Sequence, residues 1–465
     1  MAHRRDDDDD EAPLLAKPDA AASPPAPVKR NRFPFFCAVL ASMTSVLTGY
    51  NVAVMSGAQI FMAEDLGITD AQIEVLSGVI NLYSLAGALL AGWTSDRLGR
   101  RLTIVLANVL FFVGPLFMTL AGGYNALMVG RFIAGIAVGY DFVIAPVYAA
   151  EIAPASSRGL LTSVPEIFNN TGVMLSYVSN LAFSGLPAHL SWRAMFAAGV
   201  VLPVFLAAGT LTMPESPRWL AMKGRLAEAK AVLHRTSDTP EEAERRLLEI
   251  EDVVSGGGEG KASGRGGAWK EAATNAGVRR VLAMVLTLQF FQQASGIDSV
   301  VLYGPRILAM AGVTTNTSLL GLNVLFGVAK AGSILIAMAL VDRVGRRPLL
   351  LVSTGGMAAS LVLVGSLFAA FAGAGAAGRG AAASAASILP LRLRGQGAGL
   401  GTAMNRVMCA VVIMKFITLY KAITMAGAFY LYTAVTAAAF VFVYTCLPET
   451  RGRSLEDMEE LFHTK

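Results

Sequence analysis

The chain has 465 residues, of which 54% are hydrophobic and 15% charged, with a formal net charge of +5 and a mean hydropathy of +0.55. That balance excludes the two or three soluble domains that the length alone would suggest and reads as a polytopic helical membrane protein. The excess of Arg is no nucleic-acid footprint and no nucleic-acid partner is expected, because the arginines fall in short loops between apolar runs, where they set orientation.

Residues 1–32 read as a disordered cytoplasmic tail, acidic from Asp6 to Asp10 and then basic at Lys29, Arg30 and Arg32. The tail is too polar for a signal-peptide core, so the first span is expected to act as its own insertion signal. Residues 33–213 form an N-terminal transmembrane half with apolar runs near 33–55, 75–93, 102–121, 127–148, 160–182 and 194–213. The loops at 57–74, 122–126 and 183–190 lack Lys and Arg, whereas 94–101, 154–159 and the stretch after 214 are Arg-rich and are expected on the cytoplasmic side. Residues 214–280 read as a cytoplasmic linker with amphipathic helices, since charges recur at helical spacing through Leu226–Ile250. A C-terminal transmembrane half follows over 281–447, with runs near 281–303, 318–341, 348–371, 396–419 and 425–447, and 448–465 form a cytoplasmic tail. Cys37, Cys409 and Cys446 sit in or beside apolar runs with no pairing or metal-ligand spacing and read as small buried hydrophobes.

The two halves repeat one another. Asp96-Arg97-Leu-Gly-Arg100-Arg101 follows the second span of the first half, and Asp342-Arg343-Val-Gly-Arg346-Arg347 the second span of the second. Pro154-Ala-Ser-Ser-Arg158-Gly has its counterpart in Pro390-Leu-Arg-Leu-Arg-Gly395, and Pro214-Glu215-Ser-Pro-Arg218 in Pro448-Glu449-Thr-Arg451. Three landmarks in one order mean a duplicated unit, the way a rocking carrier is built around a central polar site.

The candidate for that site is Gln289-Phe-Phe-Gln292-Gln293-Ala-Ser-Gly296-Ile-Asp298, inside a run long enough to cross a bilayer. A central Asp costs about 2.5–3.5 kcal/mol on insertion scales unless it faces water or a partner. On a straight helix Gln293 and Asp298 lie about 140° apart; a helix loosened at Gly296 would let them converge. The competing reading is polar glue between neighbouring helices. With no metal-ligand cluster, nucleophile constellation or phosphate loop in the sequence, neither enzymatic catalysis, a metal nor a cofactor is expected, and a channel has no need of paired halves.

The paired Asp-Arg-x-Gly-Arg-Arg loops, Pro214-Glu-Ser-Pro-Arg-Trp219, Pro448-Glu-Thr-Arg-Gly-Arg453 and the Gln-Gln-x-Ser-Gly core together resemble the sugar porter branch of the major facilitator superfamily. Asp298 and the wording of Ala149-Ala-Glu-Ile-Ala-Pro-Ala-Ser-Ser-Arg158 resemble its plant polyol and monosaccharide transporters. The resemblance, over about 33–462, implies an all-α membrane protein with the major facilitator fold, two six-helix halves, and a multi-pass monomer in the plasma membrane. It implies a carrier working by alternating access on a small polyhydroxylated solute, a polyol or monosaccharide, by proton symport or facilitated diffusion.

It also implies roles. Gln292, Gln293, Asp298 and Tyr303, with Glu166, Lys330 and Asn405, would bind substrate; amides, a carboxylate and an ammonium suit hydroxyls that both donate and accept. Glu166 and Lys330 would alternatively neutralise each other, and Tyr303 would alternatively pack. Asp96, Arg97, Arg100, Arg101, Glu151, Arg158, Glu215 and Arg218 in the first half, and Asp342, Arg343, Arg346, Arg347, Glu449 and Arg451 in the second, would form the gating latches.

The sequence departs from the family pattern twice. Proton-coupled members carry Asp in the first span within Gly-Tyr-Asp, paired with an Arg in the fourth, here Arg131; this chain reads Gly49-Tyr50-Asn51, which removes the titratable group and leaves H+ coupling open. Asp141 lies ten residues from Arg131, roughly 15 Å along a helix, so a direct exchange of roles is not expected. Asp342 to Pro390 is ten residues shorter than Asp96 to Pro154, and its part after about 371 is rich in Ala and Gly, so the tenth helix is expected to be missing or degenerate, giving about 11–12 crossings. The alternative reading is a truncated or inactive, sensing family member that does not transport.

Overall fold

The computed structural model describes residues 31–154, 157–255, 276–371 and 394–447, and among them all regular structure is helical. The first crossing is built from α1 (Arg32–Ser42), α2 (Thr44–Ala53) and α3 (Met55–Leu66), joined through Met43 and Val54 in near-helical geometry. Together they make a 35-residue span, Arg32–Leu66, so the loop expected at 57–74 shrinks to the three residues before α4 (Asp70–Leu98). Gly67, at φ 61, ends the helix, and Thr69 and Gln72 open the next with reciprocal capping bonds. The misreading has a physical source. Ser56 and Gln59 look like loop residues, but both are fully buried; Gln59 donates to Leu302 O at 3.1 Å and Ser56 takes Asn323 Nδ2 at 3.3 Å. Their partners lie over 240 residues away in sequence, beyond any local hydropathy window.

The first half continues with α5 (Arg100–Thr119), α6 (Tyr124–Ile152), α7 (Arg158–Phe183) and α8 (Ala188–Thr210). The linker holds α9 (Pro217–Met222), α10 (Leu226–Thr236) and α11 (Pro240–Ser255), packed around Leu220, Leu233, Leu247 and Ile250. Asn31 donates to Asp238 Oδ1 at 2.9 Å and Arg246 to Glu151 O at 3.1 Å, so these helices are pinned to the membrane unit at both edges.

The second half comprises α12 (Ala276–Ala294), α13 (Ile297–Met310), α14 (Asn316–Val344), α15 (Arg346–Phe371) and α16 (Arg394–Cys446). In α16 the expected runs 396–419 and 425–447 are two helices that meet at a kink, where Thr424 takes a non-helical φ of 67. Eight described helices are long and apolar enough to span a bilayer; α7 and α12 are not among them. The shortened stretch after 371, together with Glu449 and Arg451, lies outside the described residues.

Among the described residues, every hydrogen bond crossing between the halves falls on residues 56–81 or Tyr177 of the first half. That is the end of the bundle remote from the Asp96–Arg101 loop. Asp70 takes Arg306 Nη1 at 2.8 Å and Lys421 Nζ at 2.6 Å, and Glu74 takes the amide of Thr418 at 2.8 Å and its hydroxyl at 2.7 Å. Substituting Asp70 with Asn weakens both ion pairs. Half-exposed pairs contribute about 0–1 kcal/mol each, so a roughly twofold to tenfold shift toward the state open at this end is expected. Labelling of a Leu302→Cys probe in a Cys446→Ser background by a membrane-impermeant thiol reagent should rise accordingly; unchanged labelling would remove Asp70 from the closure.

Candidate functional site

The site is organised by a break in the seventh crossing. Gly296 sits at φ 80 between α12 and α13, where an L residue is strained. A Cβ there would lie 2.6 Å from the Tyr432 ring, so space and backbone both demand glycine. The last turn of α12 closes on itself, with Ser295 Oγ donating to Gln292 O at 2.7 Å, and the new helix re-aims Asp298. The expected loosening at Gly296 is therefore a complete change of helix.

Gln289, Gln292 and Gln293 on α12 converge on Asn405 of α16. Asn405 Nδ2 donates to Gln289 Oε1 at 3.0 Å and to Gln292 Oε1 at 3.2 Å. Its Oδ1 accepts from Gln293 Nε2 at 3.2 Å and from Arg406 Nη2 at 2.6 Å. Gln293 and Asn405 are buried, and Gln293 Oε1 and Arg406 Nε have no partner among the described residues. The spacing of Gln292, Gln293 and Asn405 thus translates into one hydrogen-bonded hub.

Arg406 and Cys409 are absent from the sequence-derived site. Arg406 lies over the Phe142 ring at 4.3 Å and donates to Asn81 Oδ1 at 3.2 Å, linking the hub to the first half. Its signal in the sequence is a lone Arg inside an apolar run, the same criterion that singled out Asp298. Cys409 directs its thiol to Asp298 Oδ2 at 3.0 Å, so it does more than fill space. Cys37 is buried as expected, whereas Cys446 is exposed, because it ends α16 on the outer face of the helix.

The remaining candidates are dispersed. Glu166 is exposed and takes Asn170 Nδ2 at 2.9 Å, with no ion pair to the half-buried Lys330, although α7 and α14 pack together. Tyr303 is fully buried, stacked on Phe416 at 5.2 Å with its hydroxyl on Ile413 O at 3.2 Å. In this conformation its ring therefore packs, which is the alternative reading given for it above. Asn51 donates its amide to Leu47 O at 2.9 Å, and Arg131 Nη1 reaches Asn51 O at 3.0 Å, so these two do meet.

The latch candidates engage within their own half. Arg100 makes a two-pronged bond to Glu151 at 2.9 and 3.0 Å and a third to Ser95 O at 3.1 Å, with Asp96 at 3.5 Å. Glu215 receives the backbone N–H groups of Arg100 at 2.8 Å and Arg101 at 3.2 Å, capping α5 where the helix dipole favours an anion. Arg101 bonds Met213 O at 3.3 Å. Arg97 lies over Trp93 at 4.1 Å and Arg218 is exposed, so neither joins this cluster. Arg347 donates to Tyr444 O at 2.7 Å. The side chains of Arg158, Asp342, Arg343 and Arg346 lie outside the described residues.

Residues 37–462 match the family model described as sugar (and other) transporter. Polyol transporter 5 of Arabidopsis thaliana is 48% identical over 94% of this chain and 88% of its own length. The galactose-proton symporter of Escherichia coli strain K12 is 33% identical over 72% of this chain and 69% of its own. Among solved structures, a major facilitator superfamily proton:xylose symporter bound to 6-bromo-6-deoxy-D-glucose superposes with a TM-score of 0.76 at 25% identity, covering 92% of this chain and 99% of that one.

Proposed function

Because the chain belongs to the sugar (and other) transporter family, and shares the major facilitator fold, we propose that it carries a small polyol or monosaccharide across the plasma membrane by alternating access, as a monomer without catalytic activity or cofactor. The observation that carries this is the hub on Asn405: three glutamines, an asparagine and an arginine in one place at the turn of a broken helix. Each amide offers a donor and an acceptor, the complement of a hydroxyl. The unpartnered Gln293 Oε1 and Arg406 Nε add one acceptor and one donor at the same spot. The near full-length similarity to a polyol transporter supports a polyol as substrate.

Sidedness follows from charge. The Arg-rich loops belong on the cytoplasmic side by the positive-inside tendency, and the inter-half contacts lie at the opposite end. Uptake of radiolabelled D-sorbitol by a transporter-null cell, with and without a proton uncoupler, tests the reading; no uptake of sorbitol or of monosaccharides overturns it. Asn405→Ala removes the hub's centre and should reduce uptake at least tenfold, about 1.4 kcal/mol or more, with surface expression unchanged. Wild-type uptake by that variant would move the site elsewhere.

A further inference from the structure

We propose that Asp141 is the proton-binding group of this carrier, installed on the same helix seam from which Asn51 has removed the titratable acid. The proposal rests on the carrier reading above. Asp141 stands on α6, 2% exposed. Its two oxygens accept from hydroxyls of α2 alone, Ser45 Oγ at 3.1 Å and Thr48 Oγ1 at 2.7 Å. One turn further along α2, Arg131 of α6 donates Nη1 to Asn51 O, and its Nε and Nη2 are buried without partners among the described residues. The contacts on α2 fall at residues 45 and 48 for Asp141 and at residue 51 for Arg131.

Asp141 is thus a buried carboxylate held by hydroxyls and no cation, and Arg131 is a separate buried guanidinium lying over the Phe196 ring. Other charged groups on the packed elements are engaged elsewhere. Glu151 on α6 pairs with Arg100 of α5, Glu166 on α7 takes Asn170, Glu74 on α4 takes Thr418, and Arg406 on α16 lies over Phe142 and bonds Asn81 and Asn405. Arg218 on α9 is exposed at the helix end. Of the titratable hydroxyls, Tyr140 packs with Ala91 and Ala107, Tyr83 stacks on Phe132, Tyr148 donates to Pro214 O and Tyr50 to Met195 O; the Cys37 thiol packs with Ile144 and Tyr148. Protonation of Asp141 therefore changes the charge balance of the α2–α6 seam with no neighbour to buffer it. Ser42 and Thr44, buried on α1 and α2, precede the Asp141 contacts on the side of the Arg-rich end. A proton taken by the carboxylate from water on one side leaves as the same proton to water on the other, so nothing else is consumed.

Two measurements test this. Purified protein in nanodiscs, stepped through pH, should show an infrared carboxylic-acid C=O band that Asp141→Asn removes and Asp141→Glu shifts without removing. A band retained in Asp141→Asn overturns the proposal whatever the carrier transports. In proteoliposomes, D-sorbitol should drive proton entry in the wild type; Asp141→Asn should lose at least nine-tenths of that proton entry while retaining sorbitol counterflow, and Asn51→Asp added to it should restore proton entry. Concentrative uptake by Asp141→Asn equal to wild type, or a wild type that exchanges sorbitol without moving protons, also overturns it. Absence of wild-type counterflow would instead count against the substrate reading, leaving the infrared result to decide the proton site. Should Asp141→Asn prove unstable, the shift of the band in Asp141→Glu decides.

Discussion

Replacing Arg100 with alanine is expected to lower stability more than any other single change to the charged loops, by about 3–5 kcal/mol, the range for breaking a buried pair. Its side chain is 8% exposed and that of Glu151 10%, so neither charge is relieved by water once the other is gone. Glu151 would be left as a buried carboxylate against the end of α6, and Ser95 O would lose its donor. Arg100→Lys should recover only part of the loss, since an ammonium has no planar fork to match both oxygens. Thermal unfolding of the purified protein in detergent measures this. A Tm within a degree or two of wild type for the alanine variant would show that the pair contributes no more than an exposed one.

The second large effect is expected at the helix break. Gly296→Ala forces a side chain into positive φ, a conformation that costs about 1–3 kcal/mol for ordinary residues, and drives its Cβ into the Tyr432 ring. Tyr432 belongs to the stack Phe416–Tyr432, with centroids 6.4 Å apart and the planes nearly parallel, and Phe416 in turn carries Tyr303. Displacing the ring therefore disturbs the contacts between α13 and α16 on which the geometry of Asp298 and Cys409 depends. Transport should fall at least tenfold even where the protein reaches the surface, and Gly296→Val should be worse, because β-branching adds bulk at a forbidden φ. Near-normal uptake by the alanine variant would mean that α12 and α13 can be continuous in a working carrier.

What was legible in the sequence followed from its punctuation. Gly296 amid amides announced a broken span, the duplicated arginine loops announced two halves, and both need only neighbouring residues to be read. The misreadings involve residues whose partners are remote. Ser56 and Gln59 read as loop because Leu302 and Asn323, which satisfy them, are in the other half. Arg406 went unnoticed because only the folded chain shows it beside Asn405, Asn81 and Phe142. Tyr303 read as a ligand contact because an aromatic near polar residues is ambiguous until its neighbours are known, and Phe416 turned out to be one of them. For Asp141 the sequence shows an acid in an apolar run but not the α2 hydroxyls that hold it.

The hub on Asn405 has a thermodynamic consequence. Its amide already satisfies two glutamine oxygens and accepts from a glutamine and an arginine, so an arriving solute exchanges existing bonds for equivalent ones and adds few new ones. Net enthalpy is then small, and recognition rests on how many hydroxyls can be placed at once. A pocket of that kind holds its cargo loosely and lets it go quickly, favouring turnover at high solute concentration over scavenging at low.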